Sequence, residues 1–366
     1  KEQMKKIVYI TETSLPSTSA NIINSLKFCD SLSKFNELTL LLPDLKIDIK
    51  NLFSNYNLRY KIKIKPILNQ EIDGKLKKLS FFFKLISYLK RNHNRGDLII
   101  GRSILFSILL SFLNKKNTLE IHHDIKGFSK IFFKILMISP FKKNISFIVI
   151  NKVLVKDLKI NKQKYIVLDD GADIFTNKIK SSNKIYKKTC VYVGSFYQGK
   201  GIEIISQLAK ILPEVNFHLY GDFSVLRKQN LKIKNIKFVK KLKYKEVNSV
   251  LKKYHIALMP YQKKIMAKSK NLEISKYISP LKMFDYLAAG NIIIASRLGA
   301  YTHILKNNVN SFLIGSNNYL GWKNQISLIL NKPTNYLHIK KNAISSAKKY
   351  SWDIRAKKFL KFINSI

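Results

Sequence analysis

Thr189-Cys190-Val191-Tyr192-Val193-Gly194-Ser195-Phe196-Tyr197-Gln198-Gly199-Lys200-Gly201-Ile202 reads as a strand, a glycine-containing turn and the opening of a helix. The run from Cys190 to Val193 is short and apolar, as a buried strand is. Beyond the turn, Ile204, Ile205, Leu208 and Leu212 share one helical face. The same grammar recurs downstream. Ile278-Ser279-Pro280-Leu281-Lys282-Met283-Phe284-Asp285-Tyr286-Leu287-Ala288-Ala289-Gly290 reads as a loop, a helix and a glycine stop, followed by the buried strand Ile292-Ile293-Ile294-Ala295. Pro280 suits the first helical position, where a missing N–H costs nothing. Outward from these segments, strand-like runs at 38–42, 98–100, 147–150, 217–220 and 256–258 alternate with helical patterns. This alternation predicts an α/β chain of parallel sheets covered by helices. The polar stretch Asp173 to Lys188 is the best linker. It separates residues 4–172 from residues 189–350, and an amphipathic helix carrying Ile354, Phe359, Leu360 and Phe362 closes the chain over 351–366.

The two quoted segments have a chemistry in common. A helix opening near Ser279 points unpaired N–H groups and a positive dipole end at whatever precedes it. Lys282 places a cation in that first turn, where it opposes the dipole unless an anion is bound there. Asp285, one turn on, offers a carboxylate to hydroxyl groups. Gly194 and Gly201 permit close approach to a phosphate, and Lys200 supplies charge. The spacing matches neither the Walker A loop nor the dinucleotide fingerprint. An anion joined to a polyol describes a nucleotide-sugar. An ordinary surface helix and a tight strand–helix turn with an exposed lysine are the plainer alternatives. His122 follows the strand-like Thr118-Leu119-Glu120-Ile121, at a strand's C-terminal end, where ligands of open α/β sheets bind.

The first segment resembles the G-R-L-x-x-x-K-G turn, and the second the S-P-L-K-x-F-E-Y-x-A-x-G segment, of retaining nucleotide-sugar glycosyltransferases of the GT-B fold, family 4 (glycosyl transferases group 1). Lys6–Ile10 with the loop Ser14–Asn21, Asp97–Arg102, Leu119–His122, Val167–Asp173, Leu219–Gly221, Asn235–Phe238, Ala257–Tyr261 and Tyr350–Trp352 follow in the family's order, so the resemblance spans nearly the whole chain. It implies two Rossmann-like domains facing across a cleft, with the last helix crossing back to the first domain. It implies a donor site of Gly194, Ser195, Lys200, Gly201, Ser279, Pro280, Leu281, Lys282 and Asp285, with Lys200 and His122 acting in catalysis. Ser19, Asn21, Arg102 and Asp124 become acceptor-side or orienting candidates, with Asp124 as the partner that orients His122. The resemblance implies that the leaving phosphate takes the acceptor's proton on the same face, with no metal. Asp169-Asp170 only superficially resembles a metal-binding pair. The chain departs from the pattern at three family slots: Ser195 replaces an arginine, Tyr277 the first glutamate of an E-x₇-E pair whose second member is Asp285, and His303 a later glutamate. Arg102 or a lysine would have to compensate for the missing arginine.

With 366 residues and 46% hydrophobic content, the chain is long enough for two ordinary domains. Cys29 and Cys190 make no metal spacing and fit a reducing compartment. The first residues lead directly into a strand, with no secretory signal, and Met4 is a candidate start. Ile104 to Leu113 is too short to span a bilayer and reads as a core helix. The expected location is cytoplasmic, peripheral on the inner face of the membrane. The net charge of +45 is nearly all lysine and is spread through both halves, so drift toward lysine in coding accounts for much of it. No nucleic-acid-binding motif accompanies it, and no nucleic-acid partner is expected. Two stretches combine lysines with aromatics: one holds Leu79, Phe82, Phe83, Ile86 and Leu89 between Lys75 and Arg91, the other Phe128, Phe132, Phe133, Ile135 and Leu136 between Lys126 and Lys143. Each reads as a core-facing helix with a solvated lysine face, and the pair together suggests an anionic membrane surface as a partner. The expected activity is transfer of a sugar to a cell-envelope glycan or a lipid-linked acceptor. The alternatives are another GT-B nucleotide-sugar enzyme, such as an epimerase, or a basic non-catalytic binding protein.

Overall fold

The computed structural model describes residues 6–68, 74–94, 96–175, 186–222, 233–267 and 273–366. The chain forms two compact units, residues 1–169 with 352–366, and residues 170–351. Most of the linker expected at 173–188 lies outside the described residues.

In the first unit, β1 (Ile7–Ile10), α1 (Ala20–Ser33), β2 (Leu38–Leu42), α2 (Ile49–Tyr56), β3 (Lys63–Pro66), α3 (Gly74–Asn92), β4 (Leu98–Gly101), α4 (Ile104–Phe112), β5 (Asn117–Ile121), α5 (Phe128–Ile138), β6 (Ile145–Val149), α6 (Lys152–Asp157) and β7 (Tyr165–Val167) follow one another. The sheet order is β3-β2-β1-β4-β5-β6-β7, and its described pairings are parallel. Ile7 lies beside both Leu38 and Leu98. β1 and β6 are buried along their whole length and read as largely apolar runs, not as alternating ones, while β5 is equally buried although it carries Asn117, Thr118 and Glu120. The order reverses between β1 and β4, so the crevice outside their C-terminal ends is where this architecture holds ligands.

The second unit holds β8 (Thr189–Val193), α7 (Ile202–Ile211), β9 (Asn216–Tyr220), β10 (Ile236–Val239), α8 (Tyr244–Leu251), β11 (Ile256–Met259), α9 (Leu281–Ala289), β12 (Ile292–Ser296), β13 (Ser311–Ile314), α10 (Tyr319–Asn331) and α11 (Leu337–Lys349). Its parallel sheet runs β10-β9-β8-β11-β12-β13, with the reversal between β8 and β11. Two apolar layers sandwich it, one around Phe284, Tyr286 and Leu287, the other around Ile205, Leu208 and Trp322.

The last helix, α12 (Trp352–Asn364), belongs to the first unit and packs on α1, with Phe359 edge-on to Phe28 at 5.6 Å between ring centroids. Its buried stripe is Trp352, Arg355, Ala356 and Phe359, so of the expected face of Ile354, Phe359, Leu360 and Phe362 only Phe359 is fully buried, and a charged residue shares the stripe.

Three local expectations shift. Pro280 is the N-cap of α9, in extended conformation, and the helix begins one residue later at Leu281. α4 buries Phe106, Ile108 and Leu110 while Leu105, Leu109 and Leu113 stay exposed, so it is a surface helix with one core face. α3 buries Phe81, Leu85 and Leu89, leaving Leu76, Leu79 and Phe83 in solvent, because the true core stripe lies one residue away from the one the aromatics suggested.

Candidate functional site

The second unit's site forms at its strand-order reversal. β8 ends at Val193, whose N–H donates to the Tyr286 hydroxyl of α9 at 2.8 Å, and that bond ties the middle of the helix to the strand end. Gly194 follows with a positive φ of 153°, and a Cβ there would collide with Nζ of Lys282. Gly201, the N-cap of α7, has φ 91°, and its missing Cβ makes room for the carbonyl of Pro260 beyond β11. Both glycines therefore serve packing within the protein: one admits a lysine and the other a backbone carbonyl.

Lys200 is 9% exposed, not the solvated lysine of a plain turn, and its Nζ lies 5.1 Å from the centroid of the Tyr261 ring. Burial lowers its pKa from 10.5 to about 8. The Nζ of Lys282 sits 3.5 Å from the centroid of Tyr192 and 5.3 Å from that of Tyr261, with no hydrogen-bond partner. Burial first, and then the charge of Lys200, hold its pKa well below the ordinary lysine value. Neither lysine joins an ion pair among the described residues. The aromatic faces offer partial compensation, since a ring quadrupole attracts a cation by about 0.5–2 kcal/mol. That is less than the several kcal/mol that burying an unpaired ammonium costs. The two lysines thus meet at the Tyr261 ring, at the end of a parallel sheet, with no carboxylate paired to either among the described residues.

Other donor candidates surround this pair. Ser279 Oγ accepts from the N–H of Asp170 at 3.2 Å, which anchors the loop before α9. The first amides of α9 after Pro280 and Leu281 begin a helix whose positive end lies at Lys282. Asp285 is half-buried one turn further on. The carbonyl of Ser195, in the family's arginine slot, accepts from the buried Tyr192 hydroxyl at 2.7 Å. Tyr277 is buried in a short 3₁₀ turn, and Glu273 accepts from Ser275 Oγ at 2.9 Å.

In the first unit a second constellation gathers at the ends of β1, β4 and β5. His122 lies just past β5, and its Nε2 meets Glu120 Oε1 at 2.8 Å. The other carboxylate oxygen accepts from Tyr9 at 2.6 Å, and Arg355 Nη2 donates to Oε1 at 2.6 Å. The carboxylate bonded to His122 is therefore Glu120 and not the expected Asp124. Alternation along β5 puts residues 120 and 122 on one face. Asp124 instead offers its main-chain carbonyl to His123 Nδ1 at 2.9 Å. Arg102 reaches the carbonyl of Asn21 at 3.0 Å and Ser25 Oγ at 3.5 Å. Ser19 caps α1, accepting from Ile22 N–H, which is a structural duty.

Sequence reasoning missed Tyr9, Glu120, Arg355, Tyr192 and Tyr261. Glu120 alone left a signal, as an acid between Leu119 and Ile121 in a strand-like run. Among the described residues, no group of three or more His, Cys, Asp or Glu could hold a metal ion.

Residues 174–346 match the family model described as glycosyl transferases group 1. No protein of curated function matches the sequence. Several solved structures are similar in fold. Anabaena Alr3699/HepE in complex with UDP and glucose superposes with a TM-score of 0.71 at 13% identity, over 99% of this chain and 100% of that one. A TarM mutant from S. aureus, in complex with fondaparinux, alpha-GlcNAc-glycerol and UDP, gives 0.71 at 11% identity, over 99% and 100%. WaaG, a glycosyltransferase involved in lipopolysaccharide biosynthesis, gives 0.65 at 11% identity, over 96% and 98%. At such identities the likeness speaks for the fold.

Proposed function

We propose that the chain, whose residues 174–346 match the family model of glycosyl transferases group 1, is a retaining glycosyltransferase of the GT-B fold, moving a sugar from a nucleoside-diphosphate donor to a cell-envelope glycan or glycolipid without a metal ion. The observation that carries this reading is the buried, anion-deficient pair Lys200 and Lys282 at the end of β8. A donor's diphosphate gains negative charge as the glycosidic bond breaks. Two preorganised ammonium groups and the start of α9 stabilise that charge where water is excluded, which is usually the largest catalytic contribution. Because these groups do the work a divalent cation does elsewhere, they support a metal-independent reaction. Asp285 would accept from the ribose hydroxyls of the donor. The leaving phosphate oxygen, stabilised by the lysines, would take the acceptor hydroxyl's proton as that oxygen attacks the anomeric carbon from the same face. His122 then positions the transferred sugar or the acceptor and is not the sole base.

The surface of the first unit supports a lipid-linked acceptor reached from the cytoplasmic face of a membrane. α5 buries only Phe133 and Leu136 of its apolar residues, while Phe128 is 80% and Ile138 83% exposed, beside Lys126, Lys130 and Lys134. α3 adds Leu76, Leu79 and Phe83 with Lys77, Lys78, Lys84 and Lys90; the Lys75 side chain lies outside the described residues. Exposed aromatics framed by lysines suit the boundary of an anionic bilayer. Among the described residues no helix is long and apolar enough to cross a membrane.

The test is a panel of nucleotide-sugars in a thermal-shift assay, followed by transfer assays with the donors that bind. A donor at 100 times its Kd stabilises by roughly 2.7 kcal/mol. A panel in which no nucleotide or nucleotide-sugar shifts the transition, while a nucleic acid or a vesicle does, would replace this reading with that of a basic binding protein.

A further inference from the structure

Glu120 is fully buried inside the first unit, on a strand whose neighbours are apolar. Burial alone would raise its pKa. Arg102, Arg355 and His122 outweigh that and hold it well below the usual carboxylate range, so it is an anion at any working pH. Its oxygens accept three donors: Arg355 Nη2 at 2.6 Å and His122 Nε2 at 2.8 Å on Oε1, and Tyr9 at 2.6 Å on Oε2. Arg355 is itself immobilised. Its Nη1 donates to the carbonyls of Leu168 at 3.0 Å and Asp169 at 2.9 Å, and its guanidinium lies 4.6 Å from the centroid of the Phe28 ring.

Docking of α12 does not require this arrangement, because Trp352, Ala356 and Phe359 already bury an apolar stripe on the same face. Replacing a buried ion pair by apolar residues is often neutral or stabilising, so the pair is weak evidence of a stabilising role. What this pair orients is the imidazole at the end of β5. A carboxylate that accepts from Nε2 fixes the neutral tautomer with its proton on Nε2 and its lone pair on Nδ1.

We infer that Glu120 and Arg355 are positioning residues for His122, the C-terminal helix reaching through Arg355 to hold the carboxylate that sets the ring's orientation and tautomer. The inference deepens the proposed glycosyl transfer and rests on that reading for its catalytic consequence. Its geometric core stands on the first unit alone. Glu120 replaces the sequence-based expectation of Asp124 in this role. The same carboxylate is also the acceptor for Tyr9, so that Tyr9, Glu120, His122 and Arg355 form one hydrogen-bonded set from β1, β5 and α12.

The experiment is ¹⁵N NMR of the histidines in the full chain, with His122 assigned by its loss in His122→Gln. In the parent, His122 should carry its proton on Nε2, protected enough from exchange to be resolved. In Glu120→Gln its titration midpoint should fall by about one pH unit or more, because the anion that favours imidazolium is gone. Transfer assays on the same variant should show kcat reduced roughly 10–100-fold, as for loss of a ligand-orienting partner, with the donor KM unchanged. Arg355→Lys should retain more of kcat than Arg355→Met. If Glu120→Gln does not fold, Tyr9→Phe removes only one of the three donors. It should leave the Nε2 proton in place and raise the midpoint, since the carboxylate becomes more basic. A parent His122 in the Nδ1–H tautomer, or an unchanged midpoint in a folded Glu120→Gln or Tyr9→Phe, overturns the inference. Absence of transfer by the parent with every donor would instead sink the enzymatic reading, and the spectra would still decide the geometry.

Discussion

Replacing Lys200 by methionine should make the free protein more stable and the enzyme nearly inert. The pKa of Lys200 drops from 10.5 to about 8 through burial. At 1.36 kcal/mol per pH unit, that drop means the charged form costs the fold about 3 kcal/mol. The sign follows from the direction of the shift. A lysine whose folded pKa is depressed destabilises the fold in full below pH 8, and the cost fades as pH rises from about 8 toward the unfolded value of 10.5. Lys200→Met keeps the unbranched stem and removes the charge, so it should stabilise the second unit at pH 7 by up to about 3 kcal/mol. That corresponds to roughly 2–4 °C per kcal/mol for a unit of this size. The gain should disappear near pH 10.5. Donor binding runs the other way. A bound diphosphate returns the lysine toward its ordinary pKa, so binding takes up a proton. In the parent, donor affinity should weaken as pH rises through about 8, by up to about tenfold per pH unit, and Lys282, depressed in the same direction, adds to the slope. Lys200→Met should lose that pH dependence in part, lose most of the nucleotide-induced shift, and lower kcat by roughly 10²–10³, as for removal of one preorganised donor. The assay is thermal and urea unfolding of parent and variant from pH 6.5 to 10.5, with and without nucleotide. A variant less stable than the parent at pH 7, with an undiminished nucleotide shift, would refute the reasoning: Lys200 would then be a satisfied structural lysine.

Asp285→Asn should weaken nucleotide-sugar binding by roughly 1–3 kcal/mol, the range for a hydrogen bond to a charged group, as measured by calorimetry; unchanged affinity would move ribose recognition elsewhere. Transfer should survive EDTA, and an absolute requirement for added Mg²⁺ or Mn²⁺ in single-turnover chemistry would contradict the role given to the two lysines. The protein should sediment with anionic but not neutral vesicles at low salt, at about 1 kcal/mol per basic residue near the surface. Binding that persists undiminished when Lys77, Lys78, Lys84 and Lys90 are replaced together would leave α3 without a membrane role.

Much of the cluster around Lys200 and Lys282 was legible along the chain because its parts are local. The turn from Val193 to Ile202 and the segment from Ile278 to Gly290 each carry their own strand end, cap and lysine within a few residues. Periodicity and cap chemistry therefore located Lys200 and Lys282. The meaning of the glycines was not legible. Only the folded unit shows that Gly194 makes room for Lys282 and Gly201 for the Pro260 carbonyl. The cluster around His122 was read less well. His122 was found as a residue at a strand end, but its orienting carboxylate was sought forward, at Asp124, which follows it in the sequence. An acid in a buried strand is unfavourable unless partners reach it, and those partners, Tyr9 and Arg355, lie 111 and 235 residues away.

By itself, then, the sequence determined what depends on near neighbours: the α/β alternation, the two strand–turn–helix units, the positions of the lysines and the strand-end histidine. Local propensity and side-chain period act over a few residues, and a single chain displays them directly. Tertiary structure decided which of those groups are short of counterions, which face of α3 and α5 meets solvent, and which carboxylate holds His122. Burial and ion pairing depend on what the rest of the fold brings alongside. The pKa of Lys200 and the clamp from Arg355 to Glu120 are consequences of packing between distant segments, which no local pattern encodes.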